Sequence, residues 1–565
     1  MSTRQPAPWL GFFAMTESGS ARVTGSKWAP VIVLAIAQFI MVLDTTVMNV
    51  SISAVVEDLH TTIGGVQLAI TSYALVMGAF MMTGGRLGDL LGRRKAFAIG
   101  LLIYGAGSLT TALSPNLPVL LVGWSLVEGL GATLVMPAIM ALTAATYTGK
   151  DRAVAYGILG GIAGAGAAAG PLIGGYVTTT FSWRWVFAAE TVIVIGLLAV
   201  GLRKLVNTKP EGGRLSGVDV LLTATGMSFI VLGILKASSW GFITPTNPPT
   251  VNGHTITPLG LSPVPFIVGI GIAILSLFMR RARHREELGE QSLLRPSLLK
   301  IPQLGAGLKM LGATQLVLGG MFFILPVFLQ VTLEKNALDT GISILPLSLA
   351  MIVASLAGPR IATSHSPRLA VRLGLVVLSA GLIVLVGKIT PDFESAPFAI
   401  GMAIAGAGLG LIMSQLGNII MSSVDEKSTG EAGGLQGTAQ NLGMALGTAL
   451  IGGILLSSLT TGFQDSVAAD PTIPAAVKTQ VKEQTKAGVQ VVPESAAVAA
   501  ATNAGLSKAE VDSVAAHYMD SQVDGLRLSL SIVAILALLA LLLTAGLPSR
   551  PVGEGTSGRA EPAIE

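Results

Sequence analysis

The chain has 565 residues, of which 51% are hydrophobic and only 12% are charged, with a formal net charge of +4. Soluble globular domains carry about 25% charged residues, so this composition excludes that class and indicates a polytopic membrane protein. The chain contains no cysteine, which excludes disulfides, thiolate catalysis and thiolate metal sites, and its five histidines show no ligand spacing. We therefore predict no metal site, no cofactor and no nucleic-acid partner.

Apolar runs long enough to cross about 30 Å of hydrocarbon predict fourteen transmembrane helices. They lie near residues 28–50, 65–85, 95–114, 118–140, 153–177, 184–203, 216–236, 264–281, 305–330, 338–362, 368–388, 395–420, 430–455 and 527–547. Lys and Arg concentrate in alternate connections, such as "GRRK" (92–95) and "RRARHREE" (280–287). Because cytoplasmic loops are enriched in these residues, we expect the basic connections and both termini to be cytoplasmic.

The first span ends in "MVLDTTVMNV" (41–50), which places Asp44 in an apolar helix without any Lys or Arg. Charged groups inside a bilayer are costly and are functional by default, so Asp44 is a candidate for ion coupling.

The connection after the second span reads "GGRLGDLLGRRK" (84–95), a Gly-bearing turn with one acid and basic residues. Asp89 lies at a helix end, where it could pair with a base or face the positive N-terminus of another helix. A contact of this kind can form in one conformation and break in another, as a gate requires. An ordinary charged turn at the membrane surface is the alternative.

The fifth span reads "GILGGIAGAGAAAGPLIGG" (157–175). This density of small residues allows helix backbones to approach closely, and Pro171 removes a backbone donor and bends the helix. A plain packing face is the alternative interpretation.

Two connections on the other side of the membrane are long. Residues 237–263 are Pro-rich and have little helical potential, and no strand pattern is evident anywhere in the chain. Residues 456–526 contain Ala-rich, partly amphipathic pieces with more acids than bases, and Ser507 and Glu510 fit a helix capping box. This segment is either a spacer or a part that acts in gating or in contacts with external partners.

Together these motifs resemble the major facilitator superfamily, and within it the fourteen-span branch of drug:proton antiporters. "GRLGDLLGRRK" resembles the family's cytoplasmic loop motif, and the Gly157–Gly175 pattern resembles its antiporter motif. "LDTTVMNVSI" (43–52), "SWRW" (182–185) and "GLQGTAQNLGMALGTAL" (434–450) resemble further motifs of this branch. The resemblance implies an all-α membrane protein that works as a monomer in the plasma (inner) membrane of a bacterium.

The implied architecture has two six-helix bundles and two additional transmembrane helices. Its parts are a cytoplasmic tail (1–27), an N-terminal bundle (28–203), the additional helices with their loops (204–300), a C-terminal bundle including the external segment 456–526 (301–547), and a C-terminal tail (548–565). The resemblance also implies a conformational role for Gly85, Asp89, Gly92, Arg93, Arg94, Gly157, Gly166, Gly170, Pro171, Gly174 and Gly175.

The fourth and sixth spans depart from the family pattern. In "SLVEGLGAT" (125–133), Ser125 stands where relatives carry an Arg that is important for proton coupling, and Glu128 stands at a Gln position. "FAAETVI" (187–193) has Glu190 where many relatives have Asn. At 1.5 Å per residue, Asp44, Glu128 and Glu190 should all lie roughly 9–15 Å below the external surface. We therefore predict that the three acids bind and release the coupling proton, because buried carboxylates without basic partners take up protons near physiological pH. For Glu190 the alternative is a structural one, because the sixth span lies peripherally in this fold and its acid could simply pack against Ser or Thr.

Several polar and flexible side chains within the spans are candidates for contacting substrate. Each could equally be an interhelical hydrogen-bonding group or core filler. The candidates are Gln38, Met41, Met48, Gln315, Gln440 and Asn441.

The function most consistent with these features is proton-coupled export of hydrophobic, cationic drugs or toxic compounds by alternating access. An exporter dedicated to one endogenous metabolite or lipid is the main alternative. A transport-inactive sensor or scaffold fits less well, and an enzyme is the weakest option, because no catalytic residue constellation is present.

Overall fold

A computed structural model describes residues 27–550, apart from 148, 209, 211–214, 246–247, 252–253, 291, 425–427 and 486–487. The described chain is almost entirely helical, which confirms the predicted all-α fold. Its helices are α1 (Ala29–Val50), α2 (Ile52–Asp58), α3 (Ile63–Leu91), α4 (Arg93–Ala112), α5 (Leu117–Leu120), α6 (Gly129–Thr146), α7 (Gly149–Thr180), α8 (Arg184–Ala199), α9 (Gly217–Trp240), α10 (Val264–Glu287), α11 (Pro302–Val327), α12 (Ala337–Ser364), α13 (Pro367–Val386), α14 (Ser395–Met421), α15 (Thr429–Ala469), α16 (Ala475–Gln484), α17 (Glu494–Asn503) and α18 (Lys508–Leu543).

A helix lies at each of the fourteen predicted apolar runs. Within the described residues, twelve helices are long and apolar enough to cross a membrane, and the number rises to thirteen if the bent pair Ala169–Thr180 and Arg184–Ala199 counts as one span. The multi-pass architecture is therefore confirmed, whereas fourteen spans and cytoplasmic termini stay predictions.

The long helices form two groups that pack mainly within themselves. In the N-terminal group α1 packs on α7, and α4 packs on α6 and α8. In the C-terminal group α14 packs on α12 and α13, and α15 packs on α11 and α18. The groups meet where α3 contacts α15 and where α7 contacts α12. Helix α9 pairs with α10 and also contacts α3 and α15, so the additional pair lies along one seam between the groups.

The acidic segment 456–526 is mostly helical and consists of two helix extensions and two short helices. Helix α15 continues to Ala469 and α18 already begins at Lys508, with α16 and α17 between them. The predicted capping box is confirmed, because the Ser507 backbone N–H and hydroxyl donate to Glu510 Oε2 at 2.8 and 2.6 Å. We call residues 456–526 the cap, the membrane face that carries it the cap face, and the opposite face, with Asp89 and Arg93, the motif face.

The Pro-rich connection 237–263 contains a small hairpin that the sequence did not predict. Strands β1 (Thr250–Val251) and β2 (His254–Thr255) pair antiparallel, with Thr250 opposite Thr255. Two-residue strands are too short to show the alternation of apolar and polar residues by which a strand is recognised, so no sequence pattern indicated them.

The "SWRW" motif joins three connections of the N-terminal group at the cap face. The Trp183 indole N–H donates to Asp58 Oδ2 at 2.9 Å, and the Arg184 guanidinium pairs with the same oxygen at 2.8 Å. Arg184 also donates to the Ser114 carbonyl oxygen at 2.5 Å. The motif therefore fixes the turns after α2, α4 and α7 relative to one another.

The cap is closed by hydrogen bonds that converge on Asp470. His517 Nε2 lies 2.8 Å from Asp470 Oδ2, and this contact joins the end of α15 to α18. Hydrogen bonds hold the pKa of the Asp470 carboxyl well below its usual range. They come, largest effect first, from the Thr472 hydroxyl, the His517 ring, the Thr472 backbone N–H and the Ser513 hydroxyl. Because the folded pKa is lowered, the stabilisation is complete above the unfolded pKa of about 4 and is lost as the pH falls below it.

We expect Asp470→Asn to loosen the cap at neutral pH. The neutral amide removes the charge that these donors stabilise, so limited proteolysis between α15 and α18 should accelerate severalfold. Asp465→Asn, at an exposed position on α15, is the control and should leave the cleavage rate unchanged. Equal cleavage rates for both variants would show that the contacts of Asp470 do not hold the cap together.

Candidate functional site

The structure brings three acids together inside the N-terminal group. The acids are Asp44 on α1, Glu128 just before α6 and Glu190 on α8. Each contributes one carboxylate oxygen, and these three oxygens lie within 4.8 Å of one another. All three side chains are buried, with exposed fractions of 0, 0 and 1%. The ion pairs found among the described residues involve none of them, so no cation compensates their charge there. We call Asp44, Glu128 and Glu190 the carboxylate cluster.

Asp44 is held by an aromatic pair. The Trp124 indole N–H donates to Asp44 Oδ1 at 2.8 Å, and the Trp124 ring stacks on Tyr73 of α3 with 4.9 Å between ring centroids. The second oxygen, Asp44 Oδ2, is buried, and no described N–H or O–H group donates to it with hydrogen-bond geometry. The two oxygens of Asp44 therefore have different environments.

The two glutamates also differ. The Ser108 and Tyr104 hydroxyls of α4 donate to Glu190 Oε2 at 3.2 and 3.4 Å. Both Glu128 oxygens are buried without an aligned donor among the described residues. Glu128 is thus the acid of the cluster with no aligned donor on either oxygen among the described residues, and the cluster has acceptor positions available for protons.

The chain from Leu121 to Glu128 is a π-helix, whose wider turn has i→i+5 hydrogen bonds. It carries Trp124 and Glu128, and the Ser125 hydroxyl ties it to α3 through the Ala69 carbonyl oxygen at 2.8 Å. Helix α4 approaches its backbone so closely that a Cβ at Gly107 would lie 2.6 Å from Glu128 Cα. This π turn, a feature that often marks functional sites, sets the position of Glu128 in the cluster.

Sequence reasoning did not identify Tyr73, Tyr104, Ser108 or Trp124. Two signals were available, because residues four apart share a helix face. Trp124 precedes Glu128 by four residues, and Tyr104 precedes Ser108 by four. The identity of the carboxyl group that each pair would meet depends on packing between helices and could not be read from the chain.

The glycines of α7 pack against two different helices. A Cβ at Gly166, Gly170 or Gly174 would meet Val42, Thr46 or Val47 of α1, respectively, on either side of Asp44.

The contacts of α7 with α12 are equally close. A Cβ at Gly175 would meet the Ala337 carbonyl oxygen of α12, and one at Gly341 of α12 would meet the Pro171 carbonyl oxygen. Helix α7 therefore connects the part of α1 that carries Asp44 to the C-terminal group. The surroundings of Gly157 lie outside the described side chains.

Further hydrogen bonds link the two groups at the cap face. The Ser53 backbone N–H donates to Gln330 Oε1 at 3.1 Å, and the Leu338 backbone N–H donates to the Thr179 hydroxyl at 3.1 Å. Gln67 of α3 donates to the Thr448 carbonyl oxygen of α15 at 3.1 Å. The two groups are thus in contact at the cap face in this conformation.

The motif-face residues form a compact turn. Gly92 has a φ of +88°, a backbone conformation that favours glycine. The Arg93 guanidinium pairs with the Asp89 carboxylate at 3.4 Å and also donates to the Ala141 carbonyl oxygen at 3.2 Å. Gly85 and Asp89 line a small cavity together with Glu431 and Gly434 of α15. Asp89 therefore lies at the boundary between the groups, whereas Arg94 is a half-buried residue of the first turn of α4.

The candidates for substrate contact are not gathered into one described cavity. Met41, Met48 and Gln315 are buried, whereas Gln38, Gln440 and Asn441 are half-buried. The amide of Asn441 donates to the Gly437 carbonyl oxygen of its own helix at 2.9 Å. The two described cavities lie at the motif face and are lined by other residues. The substrate site therefore stays a prediction.

The sequence profile of the Major Facilitator Superfamily matches residues 34–448, which include most of α1, the motif turn, the π turn and about the first half of α15. The chain belongs to this superfamily. It is therefore a multi-pass membrane transporter with a major facilitator fold.

Similar major facilitator proteins include the puromycin resistance protein of Streptomyces alboniger, which is 30% identical over 80% of this chain and 85% of the relative. The tetracenomycin C resistance and export protein of Streptomyces glaucescens is 26% identical over 80% of each chain. Among solved structures, a bacterial homologue of the human lysosomal transporter Spinster superposes with a TM-score of 0.52 at 13% identity. That match covers 92% of this chain and 97% of the other, and it supports the fold alone.

Proposed function

We propose that the chain is a proton-coupled antiporter of the fourteen-span branch that exports hydrophobic, cationic drugs or toxic compounds. The observation that carries this proposal is the carboxylate cluster, in which three buried acids place oxygens within 4.8 Å of one another and form no ion pair with a described basic residue. The cap face would be external, because the basic connections lie at the motif face.

Electrostatics explains why such a cluster binds protons. Two unit charges about 5 Å apart in an effective dielectric of about 20 repel by about 3 kcal/mol. Three ionised carboxylates would experience three such repulsions in addition to the cost of removing charge from water. While the three carboxyl groups lie this close together, the cluster therefore binds at least one proton, and the three groups titrate as a coupled unit.

The position of the cluster indicates how protonation is linked to transport. All three acids are sealed inside the N-terminal group, so a substrate would not meet them directly in this conformation. Helix α7 packs on the part of α1 that carries Asp44 and also contacts α12 across the interface. A shift of α1 on protonation would therefore reach the cap-face contact through α7, which provides a mechanical route to alternating access.

The curated relatives support a small-molecule substrate. Their names refer to resistance to puromycin and to resistance to and export of tetracenomycin C. Another relative, from Streptomyces coelicolor, is named a probable actinorhodin transporter. Export of a single endogenous metabolite or lipid is therefore the second candidate function.

Efflux from proteoliposomes under an imposed pH gradient tests the proposal. A panel of cationic dyes, antibiotics and lipids would be compared with and without a protonophore. We expect several hydrophobic cations to be transported and the protonophore to stop their accumulation. Transport of one metabolite or lipid alone would favour the dedicated exporter, and no gradient-driven transport at all would contradict proton coupling.

A further inference from the structure

The indole of Trp124 stands in an unusual relation to the carboxylate cluster. It is 1% exposed, its N–H donates to Asp44 Oδ1 at 2.8 Å, and its ring is fixed by stacking on Tyr73. Among the described residues, no donor is aligned with Asp44 Oδ2 or with either oxygen of Glu128, and both acids belong to the cluster whose carboxylate oxygens lie within 4.8 Å of one another. The indole N–H therefore distinguishes the two oxygens of Asp44.

Trp124 and Glu128 belong to the same π turn. Any movement of this turn that carries Glu128 away from Asp44 also carries the donor away from Asp44 Oδ1. The turn is tied to α3 as well, through the Ser125 hydroxyl and the Ala69 carbonyl oxygen. Proton sharing and the indole hydrogen bond are thus formed and broken together.

We propose that Trp124 is a positioning residue for proton coupling: its N–H holds one oxygen of Asp44, so that the other oxygen shares the transported proton with Glu128. This inference rests on the proposed antiporter function. Trp124 makes no contact with the transported proton and acts through Asp44. In the closed cluster its N–H stabilises the ionised form of Asp44, so the shared proton is bound less tightly than it would be without this donor.

Trp124→Phe tests the inference, because it keeps an aromatic ring against Tyr73 and removes the N–H donor. Without the donor, Asp44 retains its proton more firmly. We expect proton-driven transport to persist, with its half-maximal pH raised by about one unit, equivalent to about tenfold tighter proton binding. Trp183→Phe is the matched control, because this indole N–H also donates to an aspartate, Asp58, but outside the cluster. The control should lower thermal stability and keep the wild-type pH profile.

A second measurement uses the wild-type chain, which avoids dependence on folding of the variant. In lipid nanodiscs, one of the six tryptophan indole N–H resonances should titrate with pH, and this titration should vanish in Asp44→Asn. An unchanged pH profile in Trp124→Phe, or indole resonances insensitive to Asp44→Asn, would overturn the role of Trp124. Failure of antiport itself is recognised separately, because the wild-type chain would then show no transport driven by the pH gradient.

Discussion

Asp44→Asn and Glu128→Gln should each reduce proton-driven efflux at least tenfold while leaving the protein folded. Both substitutions nearly preserve side-chain volume and keep an oxygen acceptor, so Trp124 can still donate to residue 44. Each removes one titratable group from a cluster whose oxygens lie within 4.8 Å. The remaining acids can then no longer pass through the same sequence of protonation states, and a pH gradient ceases to drive transport. Efflux in proteoliposomes, with and without the gradient, measures this loss.

Asp58→Asn provides the control for these variants. Asp58 also accepts an indole N–H, from Trp183, but it lies at the cap face and pairs with Arg184. We expect this variant to lose stability and to keep its dependence on the pH gradient. Wild-type coupling in both Asp44→Asn and Glu128→Gln would exclude the carboxylate cluster as the proton site.

Gly341→Val should prevent the two groups from closing at the cap face. A Cβ at this position would overlap the Pro171 carbonyl oxygen of α7, and a backbone oxygen cannot move aside as a flexible side chain can. We expect transport to fall at least tenfold, because the conformation in which the two groups meet at the cap face is lost. A cysteine at the buried position Ala337 reports on this opening, since the natural chain has no cysteine that would react.

In that experiment a membrane-impermeant maleimide should label Ala337→Cys severalfold faster in the Gly341→Val background. Gly196→Val on α8 is the control, because a Cβ built there meets no described atom within 4 Å apart from its chain neighbours and the adjacent backbone of its own helix. It should neither slow transport nor expose the cysteine. Wild-type transport and a protected cysteine in Gly341→Val would show that this contact is not part of the transport cycle.

Much of the fold could be predicted because a membrane imposes simple rules on the sequence. Long apolar runs located the helices, and three ordered motifs indicated the superfamily. The capping box at Ser507 indicated a helix start, but the sequence did not show that this helix continues into the last span or that α15 extends to Ala469. These helix ends leave the apolar region and are stabilised by packing within the cap. The hairpin at Thr250 was too short to leave a pattern.

The positions of Asp44, Glu128 and Glu190 along their spans predicted a common depth in the membrane. The structure shows that their carboxylate oxygens also lie within 4.8 Å of one another. Their donors could not be predicted in the same way. Trp124 and Tyr104 look like core aromatics in the sequence, and only the packing of α4, α8 and the π turn on α1 shows which carboxyl group each contacts. The π turn itself changes the helix geometry without a residue type that marks it.

Substrate-induced proton release from the purified protein shows whether the carboxylate cluster couples substrate binding to proton binding. In weakly buffered detergent solution, a substrate found by the efflux panel should displace protons from the wild-type chain, and a pH-sensitive dye reports their number. The account predicts release from the wild type and none from the Asp44→Asn/Glu128→Gln double variant. No release from the wild type, or equal release from the double variant, would contradict it.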